Sequence, residues 1–375
     1  MKVLTKNTIN IHTIEFSYYK ISDKDHEKLI HELIPAKQNR TNAKDKYFNG
    51  QSQFRGIRYK YHIINKSDYQ SRILHVIINP RDLLGKDTLV VEDLDEFMNR
   101  YRFLLYQEFS MYTLESEIFT RIDYFIDIEY EPAIKKELLK IYKKAPSNYR
   151  GLQKKDRYKS SIYYNSKSRQ INVYSRLEKM IEKIIEENYI HPSKVDLKKE
   201  IMPFISKQDK NVIRYEVQIK RKKIMYHFKT DGITPELINY WNERDAAYFI
   251  NDILKPIIFN GDYYNKYHSK KKLMEYYKNK KLVEKLIKFQ NCISKHGADN
   301  AKKRFKNYCK YINMLVEASV NPVLIPNNAG ITKIKNPFQF YKKSADIYKI
   351  PAKDWHGIIK EECLSEVIWI FLYCN

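Results

Sequence analysis

Between residues 54 and 220 the chain repeatedly shows short runs of strand type, apolar positions alternating with polar ones or β-branched residues clustering. They lie at 72–79, 121–128, 161–164, 170–174 and 212–219. Stretches with apolar residues three and four apart separate them, at 94–109, 133–144 and 177–187, and predict helices. This order predicts an α+β domain on a central, largely antiparallel sheet flanked by helices. After Lys223 the texture changes to long helical patterns at 234–258, 271–293 and 300–318, interrupted by Gly and Pro. The expected division is an N-terminal extension packed on the sheet over 1–53, the sheet domain over 54–223 and a mainly helical domain over 224–375.

Alternation sorts the polar residues of each strand onto one face. Asp123 and Asp127 share a face with Arg121 and Phe125, and Glu216 falls with Arg214, Gln218 and Lys220. Two strands thus each offer a carboxylate beside an arginine. A half-buried strand with one wet face gives the same pattern with no function attached. The functional reading is that Asp123 and Glu216 converge from neighbouring strands to hold a divalent metal, oxygen ligands suiting Mg2+ or Mn2+. His75 sits in an otherwise apolar strand; it is either a hydrogen-bonded core histidine or a further ligand.

The segment 160–179 reads as a β-hairpin around 165–169 leading into a helix, which puts Tyr174 at a strand end. A phenol becomes a competent nucleophile toward phosphate when a metal polarises the phosphodiester and a cation stabilises the phenolate. Arg176, two residues on, could supply that cation, and Glu178, four residues on, comes on a helix to the same side as Tyr174. Spacing alone leaves Tyr163 and Tyr164 as candidates too.

Charge narrows the partner. Sixty-nine Lys and Arg against 45 Asp and Glu give a formal net charge of +24, spread along the chain, which favours a nucleic acid. A Lys-rich solvated surface is the bland reading of the same number. No amphipathic helix concentrates the charge as a membrane-surface protein would. The 32 Tyr residues interleave with Lys and Arg, as at 59–61 and 263–267; they are stacking platforms or simply core filler. Cys292, Cys309, Cys363 and Cys374 are too scattered for a zinc site, as expected of a reduced, cytoplasmic protein. No signal peptide is expected, and the apolar stretch 367–373 is too short to span a bilayer, so it reads as core.

Taken together and in order, these segments resemble rolling-circle replication initiators of the filamentous-phage gene II type and the related plasmid replication-initiator transferases. Arg121-Ile122-Asp123 is similar to the family's Arg-Ile-Asp strand and Arg214-Tyr215-Glu216 to its Arg-aromatic-Glu strand. The hairpin 161–168 followed by Tyr174, Arg176 and Glu178 is similar to its hairpin, nucleophilic tyrosine, basic residue and glutamate. Upstream, 54–57, 75–80 and 83–85 match a strand and turn of the phage proteins, so the resemblance covers roughly 54–223.

The resemblance implies a fold related to the HUH nucleases, one bound metal and attack by Tyr174 on an origin phosphodiester. The products would be a 5′-phosphotyrosyl link and a free 3′-hydroxyl for a polymerase, with later rejoining to release a circle. It implies origin DNA as partner, single- and double-stranded, with host helicase and polymerase, in the cytoplasm of a bacterial host. The oligomeric state stays open, a dimer included. The chain departs from the better-known HUH pattern in lacking a His-hydrophobic-His pair in a suitable strand, and His75 stands where the phage relatives carry an acidic residue. Asn165, where plasmid relatives tend to have Gly, is compatible with a tight turn. The basic stretch 300–310 could set a helix against DNA or be an ordinary lysine face. Two other classes fit parts of the pattern. A non-catalytic DNA-binding protein would keep the stripes as structure, and a tyrosine recombinase would need its residues in a helical domain rather than on strands.

Overall fold

The computed structural model describes residues 2–3, 10–36, 45–65, 69–144, 153–154, 161–179, 181, 211–336 and 338. The chain is α+β with a large antiparallel sheet. Its strands are β1 (Lys2–Val3), β2 (Ile11–Tyr18), β3 (Ile34–Pro35), β4 (Lys46–Gln51), β5 (Ile57–Asn65), β6 (Gln70–Ile78), β7 (Glu117–Glu129), β8 (Gln153–Lys154), β9 (Ser161–Asn165), β10 (Arg169–Ser175) and β11 (Val212–Lys220). Two compact units divide the chain, one of residues 7–125 and 218–246 and one of residues 1–6, 126–217 and 247–375. Strands β7 and β11 run through both.

In the unit of residues 7–125 and 218–246 the strand order is β3-β4-β5-β6-β2-β7. Alternation decides the faces. In β5 the side chains of Ile57, Tyr59, Tyr61 and Ile63 are buried while Arg58 and Lys60 are exposed. The register pairs Tyr59 with Val76 and Tyr61 with Leu74, so both tyrosines belong to the core and neither is a free stacking platform. The buried face receives α1 (Asp23–Glu32) and α3 (Asp93–Glu108); α3 buries Phe97, Tyr101 and Leu105, four residues apart. Phe97 packs on Trp241 at 5.1 Å between ring centroids.

Entry to the short helix α2 (Pro80–Leu84) is fixed by Asn79, whose side chain accepts from the Arg81 N–H, with Pro80 preset for the first turn. Beneath it Gly56 has φ +86°, and a Cβ there would lie 2.8 Å from the Leu83 nitrogen. Only glycine lets the two backbones approach so closely.

The other unit carries the order β7-β11-β10-β9-β8, with β1 paired to β7 through Lys2 and Glu129. Its core is rich in phenols: the Tyr215 hydroxyl lies 2.9 Å from that of Tyr130 and 3.0 Å from that of Tyr142, each buried oxygen satisfying another. Tyr142 ends α5 (Pro132–Tyr142). Helices follow at Glu243–Ile258, Lys266–Tyr277, Lys280–His296, Ala298–Arg304 and Tyr308–Glu317, with the small ribbon of β12 (Tyr263–Tyr264) and β13 (Lys333–Ile334).

The three helical patterns expected after Lys223 are all broken, the first, at 234–258, into a 3-10 turn at Leu237–Tyr240 and the helix Glu243–Ile258. The 271–293 pattern is interrupted where Lys278 takes the left-handed conformation, φ 50°, and Asn279 caps the next helix. The basic stretch 300–310 is likewise divided, ending one helix at Arg304 and starting another at Tyr308. A helical pattern does not register the one-residue reversal at Lys278.

Residues 367–373, Cys363, Cys374 and most of the expected helix at 177–187 lie outside the described residues. Cys292 is buried and Cys309 exposed, both free thiols. Among the described residues no helix is long and apolar enough to cross a membrane.

Candidate metal and tyrosine site

Strand β7 is buried on both faces over residues 122–128, and that stretch carries two carboxylates, Asp123 and Asp127, which are 1% and 2% exposed. Buried carboxylates persist where cations and donors meet them. Arg121, two residues earlier on the same face, holds Asp123 in a fork, Nε to Oδ1 at 2.8 Å and Nη2 to Oδ2. The Gln218 amide donates to the same carboxylate at 3.2 Å. Asp127 is held by Arg214 through Nε at 2.7 Å and Nη2 at 2.6 Å, and by Arg176 Nη1 at 3.1 Å. The stripe sorting that grouped Arg121 with Asp123 is therefore a bidentate pair, whereas the fork of Arg214 closes on Asp127.

Tyr174 lies in β10, which pairs with β9 so that Tyr174 faces Ser161 and Asn172 faces Tyr163. On this strand Ile171, Val173 and Ser175 are buried and Gln170, Asn172 and Tyr174 are half-buried, so Tyr174 belongs to the polar face. Its hydroxyl donates to Glu216 Oε2 at 3.2 Å. Burial raises the Tyr174 phenol above its ordinary value, and the charges of Glu216 and Asp127 raise it further while that of Arg214 opposes them. Arg214 stays charged: burial works against it, but hydrogen bonding and charge from Asp127 outweigh that. Of the other candidate tyrosines, Tyr163 shares the half-buried face and bonds Gln170 at 3.0 Å, while Tyr164 points into the core.

His12, Asp123 and Glu216 each offer one ligand atom, all within 4.8 Å of one another. One imidazole nitrogen and two carboxylate oxygens form a donor set that fits a divalent cation. The Thr13 hydroxyl lies 2.8 Å from His12 Nδ1, which leaves Nε2 as the ring nitrogen for a ligand. Arg121 engages both oxygens of Asp123 and Gln218 donates to Oδ2, as supporting groups around a metal commonly do.

His75 is not in this group. Its Nδ1 lies 2.8 Å from the Ser17 hydroxyl and 3.2 Å from Glu15 Oε1, and its ring packs on His62 at 4.9 Å. Glu15 is buried, which works against its charge, but hydrogen bonding and charge from His75 with the charge of Arg121 hold its carboxyl below the ordinary value. Burial first, then the neighbouring His75 and Lys60, lowers His62 to about 4.

Glu178 takes no part in the Tyr174 bonds described. Tyr174 is still in the strand, and helical backbone begins only at Arg176, so the two do not share a helix face. Glu178 is exposed and its charge acts on Lys135, whose ammonium bonds the Ser175 hydroxyl at 3.1 Å. The residues that sequence reasoning missed are His12, Asp127 as the anchor of both arginines, and Gln218. His12 precedes a clear alternation, Ile14, Phe16 and Tyr18 against Glu15 and Ser17, which marks β2 as a sheet strand rather than part of an extension. The chain matches no protein-family model, no curated protein and no solved structure.

Proposed function

We propose that the chain is a metal-dependent DNA strand transferase that nicks and rejoins one strand through Tyr174, the chemistry of a rolling-circle replication initiator. The observation that carries the proposal is the Tyr174 hydroxyl, 3.2 Å from a carboxylate of the His12, Asp123 and Glu216 donor set. A divalent cation held by those three residues would polarise a phosphodiester and offset its charge in attack. The order of the Arg-Ile-Asp, hairpin-tyrosine and Arg-Tyr-Glu segments supports the same reading, as does the net charge of +24.

The residues divide the work as follows. Asp127 fixes Arg214 and Arg176 on the tyrosine's face, where their cations favour phenolate and receive the phosphate. Arg121 and Gln218 orient Asp123. In the reaction the phenolic oxygen attacks phosphorus. A P–O bond forms to Tyr174 as the P–O3′ bond breaks, the phenolic proton leaves through Glu216, and the departing 3′ oxygen takes a proton from water. Rejoining is the reverse, with a 3′-hydroxyl attacking the phosphotyrosine. A related HUH-type fold and a separate helical region that contacts the origin belong to this proposal.

The raised Tyr174 phenol favours a second reading, a DNA-binding protein in which the Tyr174 to Glu216 bond only braces two strands. Supercoiled DNA carrying the chain's own gene and flanks, incubated with the protein and Mg2+ or Mn2+, separates the two. Nicking with protein joined to a 5′ end, lost in Tyr174→Phe, is the expected result. Binding without nicking by wild type, or equal nicking by the variant, overturns the proposal.

A further inference from the structure

A cavity of about 280 Å³ lies in the unit of residues 1–6, 126–217 and 247–375, lined by α5, the helix Lys280–His296 and the segment 323–327. None of the metal or tyrosine residues lines it. Two features set it apart from a packing defect. Its charged lining is entirely cationic: Lys140, Lys144, Lys266 and Lys295, with no acidic side chain among the lining residues. Its apolar lining is supplied by Ile141 and by four residues consecutive in sequence, Val323, Leu324, Ile325 and Pro326.

Lys140 also bridges Glu137 at 2.6 Å, but no ion pair engages Lys144, Lys266 or Lys295 among the described residues. The cavity's frame is tied down. The Ala298 N–H donates to the Lys144 carbonyl at 2.9 Å, and the Leu324 N–H donates to the Ser294 hydroxyl at 2.8 Å. Three lysines lining one cavity, with no ion-pair partner among the described residues, beside an apolar lining favour a ligand that carries both an anionic group and a flat apolar one.

We infer that this cavity binds a nucleotide unit, its base against the floor of 323–326 and its phosphate among Lys144, Lys266 and Lys295. Asn291 and Asn327, also in the lining, offer amide donors and acceptors of the kind that read base edges. The volume sits at the small end for ligand sites, of order 300 Å³, which suits one nucleotide and not an extended chain. Inorganic phosphate would leave the floor unused, and an acidic peptide would bring no flat face to it. The nucleotide is either free or one residue of a bound strand, and both present the same chemistry. The inference does not depend on the nicking reading.

The test uses the full chain in a chelator at low salt, so that no nicking intervenes. Isothermal titration calorimetry is run with adenosine 5′-monophosphate, thymidine 5′-monophosphate, a twelve-residue oligothymidylate, adenosine, inorganic phosphate and an oligoglutamate. The expected result is that a mononucleotide or the oligonucleotide binds at least about tenfold tighter than phosphate or adenosine alone, because both ends of the cavity contribute. A free nucleotide that binds unaided identifies a mononucleotide site. Binding of the oligonucleotide alone identifies a site within a strand.

The Lys266→Glu, Lys295→Glu pair, both exposed side chains, should weaken that binding about tenfold or more. Asn291→Trp, which fills the cavity and leaves its charge intact, should do the same, with melting temperature confirming the fold. Phosphate binding as tightly as the nucleotides, preference for oligoglutamate, no binding by wild type, or lysine variants that bind like wild type would each overturn it.

Discussion

A phenol that donates its hydrogen bond to a carboxylate is held in its least nucleophilic form, because the charge that accepts the bond also resists the phenolate. Tyr174 is in that state, with Glu216 as the acceptor. Metal binding by Glu216 would therefore both build the site and release the nucleophile, and nicking should be strictly metal-dependent at every accessible pH. If His12 is a ligand and His75 a brace for Glu15, the two histidines separate experimentally. His12→Ala should raise the metal concentration for half-maximal nicking about tenfold or more, whereas His75→Ala should leave it near wild type. Equal effects of the two changes would remove His12 from the ligand set.

The two arginines on Asp127 differ in a way that also predicts. Arg214 is 13% exposed at its side chain and meets a carboxylate 4% exposed, while Arg176 is 41% exposed. Arg214→Met strands a buried charge and should cost about 3 kcal/mol or more of stability. Arg176→Met should cost no more than about 1 kcal/mol. Urea midpoints measure the first difference, and nicking rates on folded protein measure the second, where Arg176→Met should still be slow. An Arg176→Met variant that nicks at the wild-type rate would take the phosphate role away from it.

At the scale of elements, the strands that carry the carboxylates and the tyrosine were legible because each alternates over six or more residues. Arg121 with Asp123, and Tyr174 on a polar face beside buried Val173, follow from that period alone. What alternation does not encode is which strands become neighbours. Strand periodicity groups Arg214 with Glu216, yet its fork closes on Asp127 of another strand, and His12 enters through β2, in the stretch that the sequence presents as an extension. Those pairings depend on loop closures far apart in sequence.

The helix break at Lys278 was illegible for a different reason: lysine in the left-handed region leaves no compositional mark. It also yields a prediction. Lys278→Gly relieves an unfavourable φ at a helix end and should raise stability by roughly 0.5–1 kcal/mol. The opposite applies at Gly261, φ +87°, where a Cβ would fall 2.6 Å from the Val320 carbonyl carbon. Gly261→Ala should lower the melting temperature clearly, since backbone must move on both sides.

Over the whole molecule, net charge and buried titratable groups set the response to acid. Below neutrality a chain already at +24 gains further positive charge, and in the unit of residues 7–125 and 218–246 His62 and Glu15 add specific terms, alongside His26, which burial also lowers, Asp23, which hydrogen bonding lowers, and Asp25, where burial is outweighed by hydrogen bonding that lowers it. His62 titrates near 4 when folded against 6.5 as the ordinary value, so between those limits the unfolded chain binds more protons than the folded one. Stability from this residue is complete above about 6.5 and falls continuously toward pH 4. Glu15 is depressed below its ordinary 4.5, so its contribution is present above that value and is lost as pH falls through the folded one. The two effects have the same sign and act in succession. The urea midpoint should therefore drop between pH 7 and pH 5 through His62 and drop again below 4.5 as Glu15 loses its charge. His62→Gln should make the first interval shallower and leave the second, because a neutral amide in the same place has no proton to gain while His26 still titrates there. A midpoint that is constant from pH 7 to 5 in wild type, or equally sloped in His62→Gln, would show that His62 does not couple folding to acid.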